Sequence, residues 1–128
     1  MVTFPAPVKP ILVVEDEPDL RDALALELEA DGYTVVTAEN ARDALARLRS
    51  GVDPCLVLLD MMMPGGSGLD FRREQLRDET LAAIPVIAYS GDGDLRDEAE
   101  RLGVAHFFRK PVPARTLLDL IDQHRRRD

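Results

Sequence analysis

The chain has 128 residues, which predicts a single domain with little room for a separate output domain. It carries 16 basic and 24 acidic side chains, and the net charge of −8 argues against nucleic acid or an anionic membrane as the main partner. The single cysteine, Cys55, and the two histidines exclude an internal disulfide framework and a Cys-rich or His-rich metal centre. No window approaches the ~18 apolar residues of a membrane span. The segment Met1–Lys9 lacks the basic-then-apolar order of a signal peptide, so we expect a cytoplasmic location.

The first half of the chain alternates short apolar runs with amphipathic segments. Ile11–Val14 is a continuous apolar run, which is typical of a buried strand. Leucines that recur at every fourth position then predict a helix over Pro18–Ala30. Thr34–Ala38 predicts a second strand. Asn40 is a suitable N-cap for a second helix, which we expect to end at Gly51.

The second half of the chain continues this alternation. Strands are predicted at Cys55–Leu59, Pro85–Tyr89 and His106–Arg109, and helices at Leu69–Arg77, Asp94–Leu102 and Pro113–His124. The glycine-rich run at 65–68 lacks the ending of a P-loop and is interpreted as a flexible turn into the third helix. Strand and helix in alternation predict an α/β fold, a doubly wound five-stranded parallel sheet with helices on both faces.

Polar side chains stand at the carboxyl ends of four of the predicted strands. Glu15 and Asp16 follow the first strand, Asp60 the third, Ser90 the fourth and Lys110 the fifth. Ligands of open parallel sheets bind at this edge, so we expect these side chains to converge. Clustered carboxylates suit Mg²⁺, and a bound cation lets a carboxylate attack a phosphoryl group.

Each of these residues has a simpler interpretation when it is taken alone. Asp16 is a candidate N-terminal cap for the following helix, and Asp60 and Ser90 are candidate turn residues. Lys110 is a candidate surface lysine. Their placement at successive strand ends of one sheet edge favours the functional interpretation.

At these residues the sequence resembles the receiver domains of two-component response regulators, from about Pro10 to Gln123. The matching segments are Val13–Pro18, Leu58–Pro64, Gly68–Leu69, Ala88–Gly91 and Phe108–Pro111. The resemblance implies one receiver domain over residues 1–128, with a core at about 10–123. It also implies the flavodoxin-like strand order 2-1-3-4-5.

The resemblance assigns a phosphorylation site and a metal site. Asp60 matches the aspartate that accepts phosphate from a sensor histidine kinase or phosphotransfer protein. Glu15 and Asp16 match the acidic pair that binds Mg²⁺, with Asp16 favoured as the direct ligand. Met62 matches the position whose backbone carbonyl completes the metal site.

The resemblance also implies a conformational switch. Ser90 matches the hydroxyl that moves to the phosphoryl group, and Lys110 matches the lysine that pairs with that group. Phe107 matches an aromatic residue whose rotation reports the state of Ser90, with simple packing as the alternative. A cis peptide bond between Lys110 and Pro111 is expected as well. The output would be a contact between a downstream protein and the face made by helix 4, strand 5 and helix 5.

Three features depart from the family pattern. Tyr89 stands where a small aliphatic residue or threonine is usual, Gly91 follows the switch position, and Met62 is bulky where many members are polar. The methionines at 61–63 are interpreted as a pliable contact surface, or as Met63 anchoring the loop while the other two are exposed.

Several alternatives remain open at the level of function. The chain is either a stand-alone regulator, a monomer or a weak phosphorylation-dependent dimer, or a receiver excised from a hybrid histidine kinase or a larger regulator. A phosphate-independent scaffold is a further alternative, which the retention of all the acids and the lysine disfavours. An aspartate-nucleophile phosphatase needs a second aspartate at position 62, where this chain has methionine. We therefore expect no enzyme activity beyond its own phosphorylation and dephosphorylation.

Overall fold

The structure, a computed structural model, describes residues 9–63, 68–91, 95–111 and 114–126. The runs 64–67, 92–94 and 112–113, which include the predicted helix starts Asp94 and Pro113, lie outside these residues. Among the described residues, no helix combines the length and apolar character needed to cross a bilayer.

Five parallel strands form one sheet in the order β2-β1-β3-β4-β5, which confirms the predicted strand order. The strands are β1 (Ile11–Val14), β2 (Val35–Ala38), β3 (Leu56–Asp60), β4 (Val86–Ser90) and β5 (His106–Arg109). The central strands β1, β3 and β4 are completely buried, which explains their continuous apolar sequences.

The helices follow the strands in strict alternation. They are α1 (Pro18–Ala30), α2 (Ala41–Arg49), α3 (Gly68–Arg77), α4 (Arg96–Arg101) and α5 (Ala114–Arg126). The predicted cap of α2 is present, because the Asn40 side chain accepts a hydrogen bond from the Asp43 N–H at 2.7 Å.

Side chains alternate between two apolar layers on the two faces of the sheet. On one face, Leu12 and Val14 of β1 pack with α2, α3 and α4. On the other, Ile11 and Val13 pack with α1 and α5. This alternation places every second strand residue on the same face.

Two strands end one residue later than predicted, and this matters for the site. Asp60 and Ser90 are the last residues of β3 and β4, rather than the residues after them. Pairing continues to this point because Asp60 is level with Tyr89 and the Met61 N–H donates to the Tyr89 carbonyl at 2.9 Å. Both polar side chains therefore project from the rigid sheet instead of from a loop.

Candidate functional site

Three carboxylates meet at the carboxyl edge of the sheet, as the sequence predicts. One oxygen from each of Glu15, Asp16 and Asp60 lies within 4.8 Å of the other two. Glu15 and Asp60 are buried, and Asp16 is half-buried. Strand alternation explains the meeting, because Glu15 and Asp60 continue the face to which Val13 and Leu58 belong.

Asp16 does not cap α1. The N-cap residue of α1 is Glu17, whose side chain makes no capping hydrogen bond, and Pro18 begins the helix. The Glu17 N–H instead donates to Glu15 Oε2 at 3.1 Å. The capping interpretation of Asp16 is therefore wrong.

Lys110 reaches the carboxylates from the end of β5. Its ammonium lies 3.3 Å from Asp60 Oδ2 and 3.6 Å from Glu15 Oε1, and 30% of its side chain is exposed. The peptide bond between Lys110 and Pro111 is cis, as expected. Lys110 is thus part of the acidic cluster and not an isolated surface lysine.

Burial and charge set the ionisation of this cluster. Burial raises the pKa of Glu15 to about 7, an effect that the Glu17 N–H opposes and the neighbouring charge of Asp60 reinforces. Partial burial lowers the pKa of Lys110, but the negative charges of Asp60 and Glu15 outweigh it, so that the pKa of Lys110 is raised. Without a cation, Glu15 therefore keeps its proton to a higher pH than an exposed glutamate does.

The loop after β3 fixes the Asp60 side chain. The Met62 N–H donates to Asp60 Oδ1 at 3.0 Å, while 54% of Met62 is exposed. Met61 and Met63 are both buried, so the expected exposure of Met61 is wrong and the anchoring role of Met63 is confirmed. Met61 packs inward because it belongs to the same apolar layer as Leu59 and Phe71.

Gly68 is a requirement for close packing rather than part of a flexible turn. A Cβ at this position would lie 2.6 Å from the Asp60 carbonyl oxygen and 2.7 Å from the Met61 Cα. Only glycine allows α3 to begin so close to the end of β3. The flexible-turn interpretation is wrong for Gly68, and residues 65–67 lie outside the described part of the chain.

The two predicted switch residues lie on the opposite face of the sheet from Tyr89. Ser90 is buried at the end of β4, and its carbonyl accepts a hydrogen bond from the Lys110 N–H at 2.8 Å. Phe107 is buried beside Ala88, and the Arg96 guanidinium lies 5.0 Å from its ring centroid. Phe107 therefore packs between β4 and the start of α4.

Tyr89 lies beside the acidic cluster, a contact that its sequence position does not predict, since tyrosine there is only a departure from the family pattern. Its hydroxyl donates to Glu15 Oε1 at 2.9 Å, and the Lys110 ammonium lies 5.5 Å from its ring centroid. Burial and the charge of Glu15 raise the pKa of Tyr89, so that its hydroxyl stays protonated. No spacing in the sequence points to this contact, because it joins residues 74 positions apart.

The donor set fits a hard divalent cation. Three carboxylates within 4.8 Å of one another offer the oxygen ligands that Mg²⁺ prefers, and their mutual repulsion favours a bound cation. Lys110 leaves this charge only partly neutralised.

Comparison with known proteins identifies a family. A family model described as the response regulator receiver domain matches residues 11–122. The phosphate regulon transcriptional regulatory protein PhoB of Pseudomonas aeruginosa is 38% identical, over 86% of this chain and 48% of its own length. Protein PilH of the same organism is 36% identical over 88% of this chain and 93% of its own length. The chain therefore spans about half the length of PhoB and nearly the whole length of PilH.

A solved structure extends the similarity to the arrangement of the backbone. Response regulator TrrA from Thermotoga maritima, crystallised in complex with Mg²⁺-BeF, is 32% identical with a TM-score of 0.81. The alignment covers 91% of this chain and 99% of that one.

Proposed function

The chain belongs to the response regulator receiver domain family, and from this we propose that it is a phosphorylation-activated switch with Asp60 as the phosphoacceptor. The observation that carries the proposal is the cluster of Glu15, Asp16 and Asp60 within 4.8 Å, with the Lys110 ammonium 3.3 Å from Asp60 Oδ2. Receiver domains are typically signalling domains without a separate enzymatic activity. The catalysis that we propose is limited to the domain's own phosphorylation and dephosphorylation.

In the proposed reaction the Asp60 carboxylate attacks a phosphohistidine. The donor is a sensor histidine kinase or a phosphotransfer protein. An oxygen–phosphorus bond forms at Asp60 while the phosphorus–nitrogen bond breaks and the imidazole leaves. The Met62 N–H at Oδ1 and the Lys110 ammonium at Oδ2 orient the carboxylate for this attack.

Four groups would hold Mg²⁺ in this reaction: the carboxylates of Glu15, Asp16 and Asp60 and the backbone carbonyl of Met62. A bound ion would neutralise negative charge on the oxygens of the phosphoryl group in transfer. Half-buried Asp16 is open to solvent, which suits a direct ligand of a partly hydrated ion. The complex of TrrA with Mg²⁺-BeF supports this ion.

Phosphorylation would then repack the face formed by α4, β5 and α5. We propose that Ser90 and Lys110 move to the phosphoryl oxygens and that Phe107 follows Ser90. The contact between Arg96 and Phe107 supports this coupling, since it ties α4 to β5 at the aromatic side chain. A downstream protein binds the altered face, and hydrolysis of the acyl phosphate resets it.

The setting of the domain is also a proposal. We propose a cytoplasmic protein that acts as a monomer or a phosphorylation-dependent dimer, with protein partners rather than nucleic acid or membrane. The 93% coverage of PilH is consistent with a stand-alone regulator, while the 48% coverage of PhoB is consistent with a receiver taken from a longer one.

Intact mass spectrometry after incubation with acetyl phosphate and Mg²⁺ tests the acceptor. We expect one added phosphate on the wild type and none on D60N. D53N is the matched control, because Asp53 is an exposed carboxylate whose ion pair with Lys9 lies at 3.4 Å. An added phosphate that survives D60N, or a wild type that takes none, would contradict the proposal.

Hydrogen–deuterium exchange tests the output face. Beryllofluoride with Mg²⁺ should change exchange in α4, β5 and α5 of the wild type more than in α2. The same addition to D60N should leave the exchange pattern as it is. Equal changes in both proteins would rule out a switch controlled from Asp60.

A further inference from the structure

Tyr89 lies at the carboxyl end of β4, on the sheet face that carries the acidic cluster. It is level with Asp60 on β3 and with Phe108 on β5, and only 2% of it is exposed. Residues in register on neighbouring parallel strands project from the same face. The Tyr89 side chain therefore lies beside Asp60, and its hydroxyl passes β3 to reach Glu15 at the end of β1.

The Tyr89 hydroxyl completes the support of the Glu15 carboxylate. Oε2 accepts from the Glu17 N–H at 3.1 Å, and Oε1 accepts from Tyr89 at 2.9 Å with the Lys110 ammonium at 3.6 Å. A buried carboxylate needs such partners to offset its loss of hydration. Without the hydroxyl, Oε1 would lose this 2.9 Å hydrogen bond and keep the longer contact with Lys110.

The Tyr89 ring contacts the other charged partner of Asp60. The Lys110 ammonium lies 5.5 Å from the ring centroid, within the range of a cation–π interaction. One tyrosine thus contacts both the carboxylate and the ammonium that flank the phosphoacceptor. Simple packing would account for the buried ring but not for the hydrogen bond at its tip.

We propose that Tyr89 is a positioning residue for phosphoryl transfer. Its hydroxyl orients the Glu15 carboxylate, and its ring holds the Lys110 ammonium beside Asp60. This inference rests on the proposed function. Groups that orient a metal-binding side chain commonly change metal affinity ~10–100-fold when they are removed. The role belongs to this chain's own tyrosine, at a position where the sequence departs from the usual residues of the family.

The variant Y89F tests the hydroxyl while leaving the ring in the core. Mg²⁺ affinity is measured by calorimetry at pH 8.5, and phosphorylation is measured with acetyl phosphate. We expect Y89F to bind Mg²⁺ about tenfold more weakly and to take phosphate more slowly at subsaturating Mg²⁺. Saturating Mg²⁺ should restore most of the rate, a rescue that a purely structural defect would not show.

Y33F is the matched control, because Tyr33 is the other tyrosine, is also buried, and lies 3.5 Å from Asp122 rather than near the cluster. We expect Y33F to bind Mg²⁺ like the wild type. The inference is overturned if Y89F binds Mg²⁺ with an affinity within twofold of that of the wild type, or if saturating Mg²⁺ does not restore its phosphorylation rate. Either result leaves the proposed function intact. Failure of wild type and Y33F to bind Mg²⁺ would overturn the proposed function, and this inference with it.

Tyrosine fluorescence gives a readout independent of phosphorylation. The chain has no tryptophan and two tyrosines, so the tyrosine emission of Y33F arises from Tyr89 alone. Adding Mg²⁺ should change this emission saturably, at the concentration found by calorimetry. Emission that does not respond to saturating Mg²⁺ would contradict the contact between Tyr89 and a metal-binding carboxylate.

Discussion

At the scale of single residues, adjacent acids have different environments. Glu15 is buried and takes its hydrogen bonds from Glu17 and Tyr89, whereas Asp16 is half-buried. The sequence places both acids at the end of β1 but does not show which of them is buried. Burial in the folded protein raises the pKa of Glu15, and the neighbouring Asp60 adds to this rise, while the hydrogen bonds from Glu17 and Tyr89 oppose it.

This raised pKa predicts how stability depends on pH without a metal. The pKa of Glu15 is about 7 in the folded protein and 4.5 in the unfolded chain. Between these pH values the folded state therefore binds the Glu15 proton more tightly than the unfolded state does. The free energy of unfolding from this group therefore falls as pH rises through that window. E15Q does not titrate, and we expect its free energy of unfolding to rise by ~3 kcal/mol relative to that of the wild type between pH 4.5 and pH 8.

Urea unfolding in EDTA at several pH values measures this difference. The control is E29Q, which removes an exposed carboxylate from α1. A difference between E15Q and the wild type that stays constant with pH would show that the burial of Glu15 does not control its ionisation.

At the scale of elements, α3 shows why a weak sequence pattern can still form a well-packed helix. Its inward side includes Arg72 and Gln75, both buried, so apolar periodicity fails there. Arg72 donates to the carbonyls of Leu102 and Gly103 at 2.8 and 3.1 Å, and to Gln75 Oε1 at 2.8 Å. Arg72 thus ties α3 to the connection between α4 and β5.

Loss of the three Arg72 hydrogen bonds should destabilise the folded protein. R72M would leave three acceptors without their donor, and we expect a loss of ~2–3 kcal/mol in the free energy of unfolding. R77M, at an exposed position of the same helix, is the control. Thermal unfolding of both variants measures the effect, and equal melting temperatures would show that the Arg72 contacts contribute nothing net.

The start of α3 makes a second prediction at this scale. G68A places a methyl group against the Asp60 carbonyl at 2.6 Å, so either α3 or the end of β3 must shift. We expect a loss of ~1–3 kcal/mol and slower phosphorylation of Asp60. G91A is the control for stability, since a Cβ at Gly91 has no neighbour within 4 Å among the residues that the structure describes. A G68A protein that melts like G91A would contradict the close approach.

At the scale of the whole molecule, the proposed metal site is coupled to the fold, because the three carboxylates come from two strands that only the folded sheet brings together. Glu15 and Asp16 follow β1, and Asp60 ends β3. The unfolded chain has no such cluster, so a bound cation stabilises only the folded state.

Mg²⁺ should therefore raise the melting temperature of the whole domain. At a free concentration of 100 times the dissociation constant, we expect ~2.7 kcal/mol of added stability. D16N should lose most of this gain, while D22N, an exposed carboxylate of α1, should keep it. Equal responses of the two variants would place the ion elsewhere. Differential scanning calorimetry with and without Mg²⁺ makes the comparison.

The sequence by itself determined the alternation of strands and helices, the parallel sheet and the acids at its carboxyl edge. These features follow from the local periodicity of apolar residues and from the order of the elements along the chain, and both can be obtained from the sequence alone. That the chain is one receiver domain over residues 1–128, and that Ser90 and Phe107 act as switch residues, stay predictions.

Only the tertiary structure decided the contacts that complete the site. The hydrogen bond from Tyr89 to Glu15, the approach of Gly68 to Asp60 and the inward direction of Met61 depend on the register between strands and on where α3 docks. A shift of one residue in that register would turn Tyr89 to the other face. Such contacts join distant parts of the chain, so no local pattern encodes them.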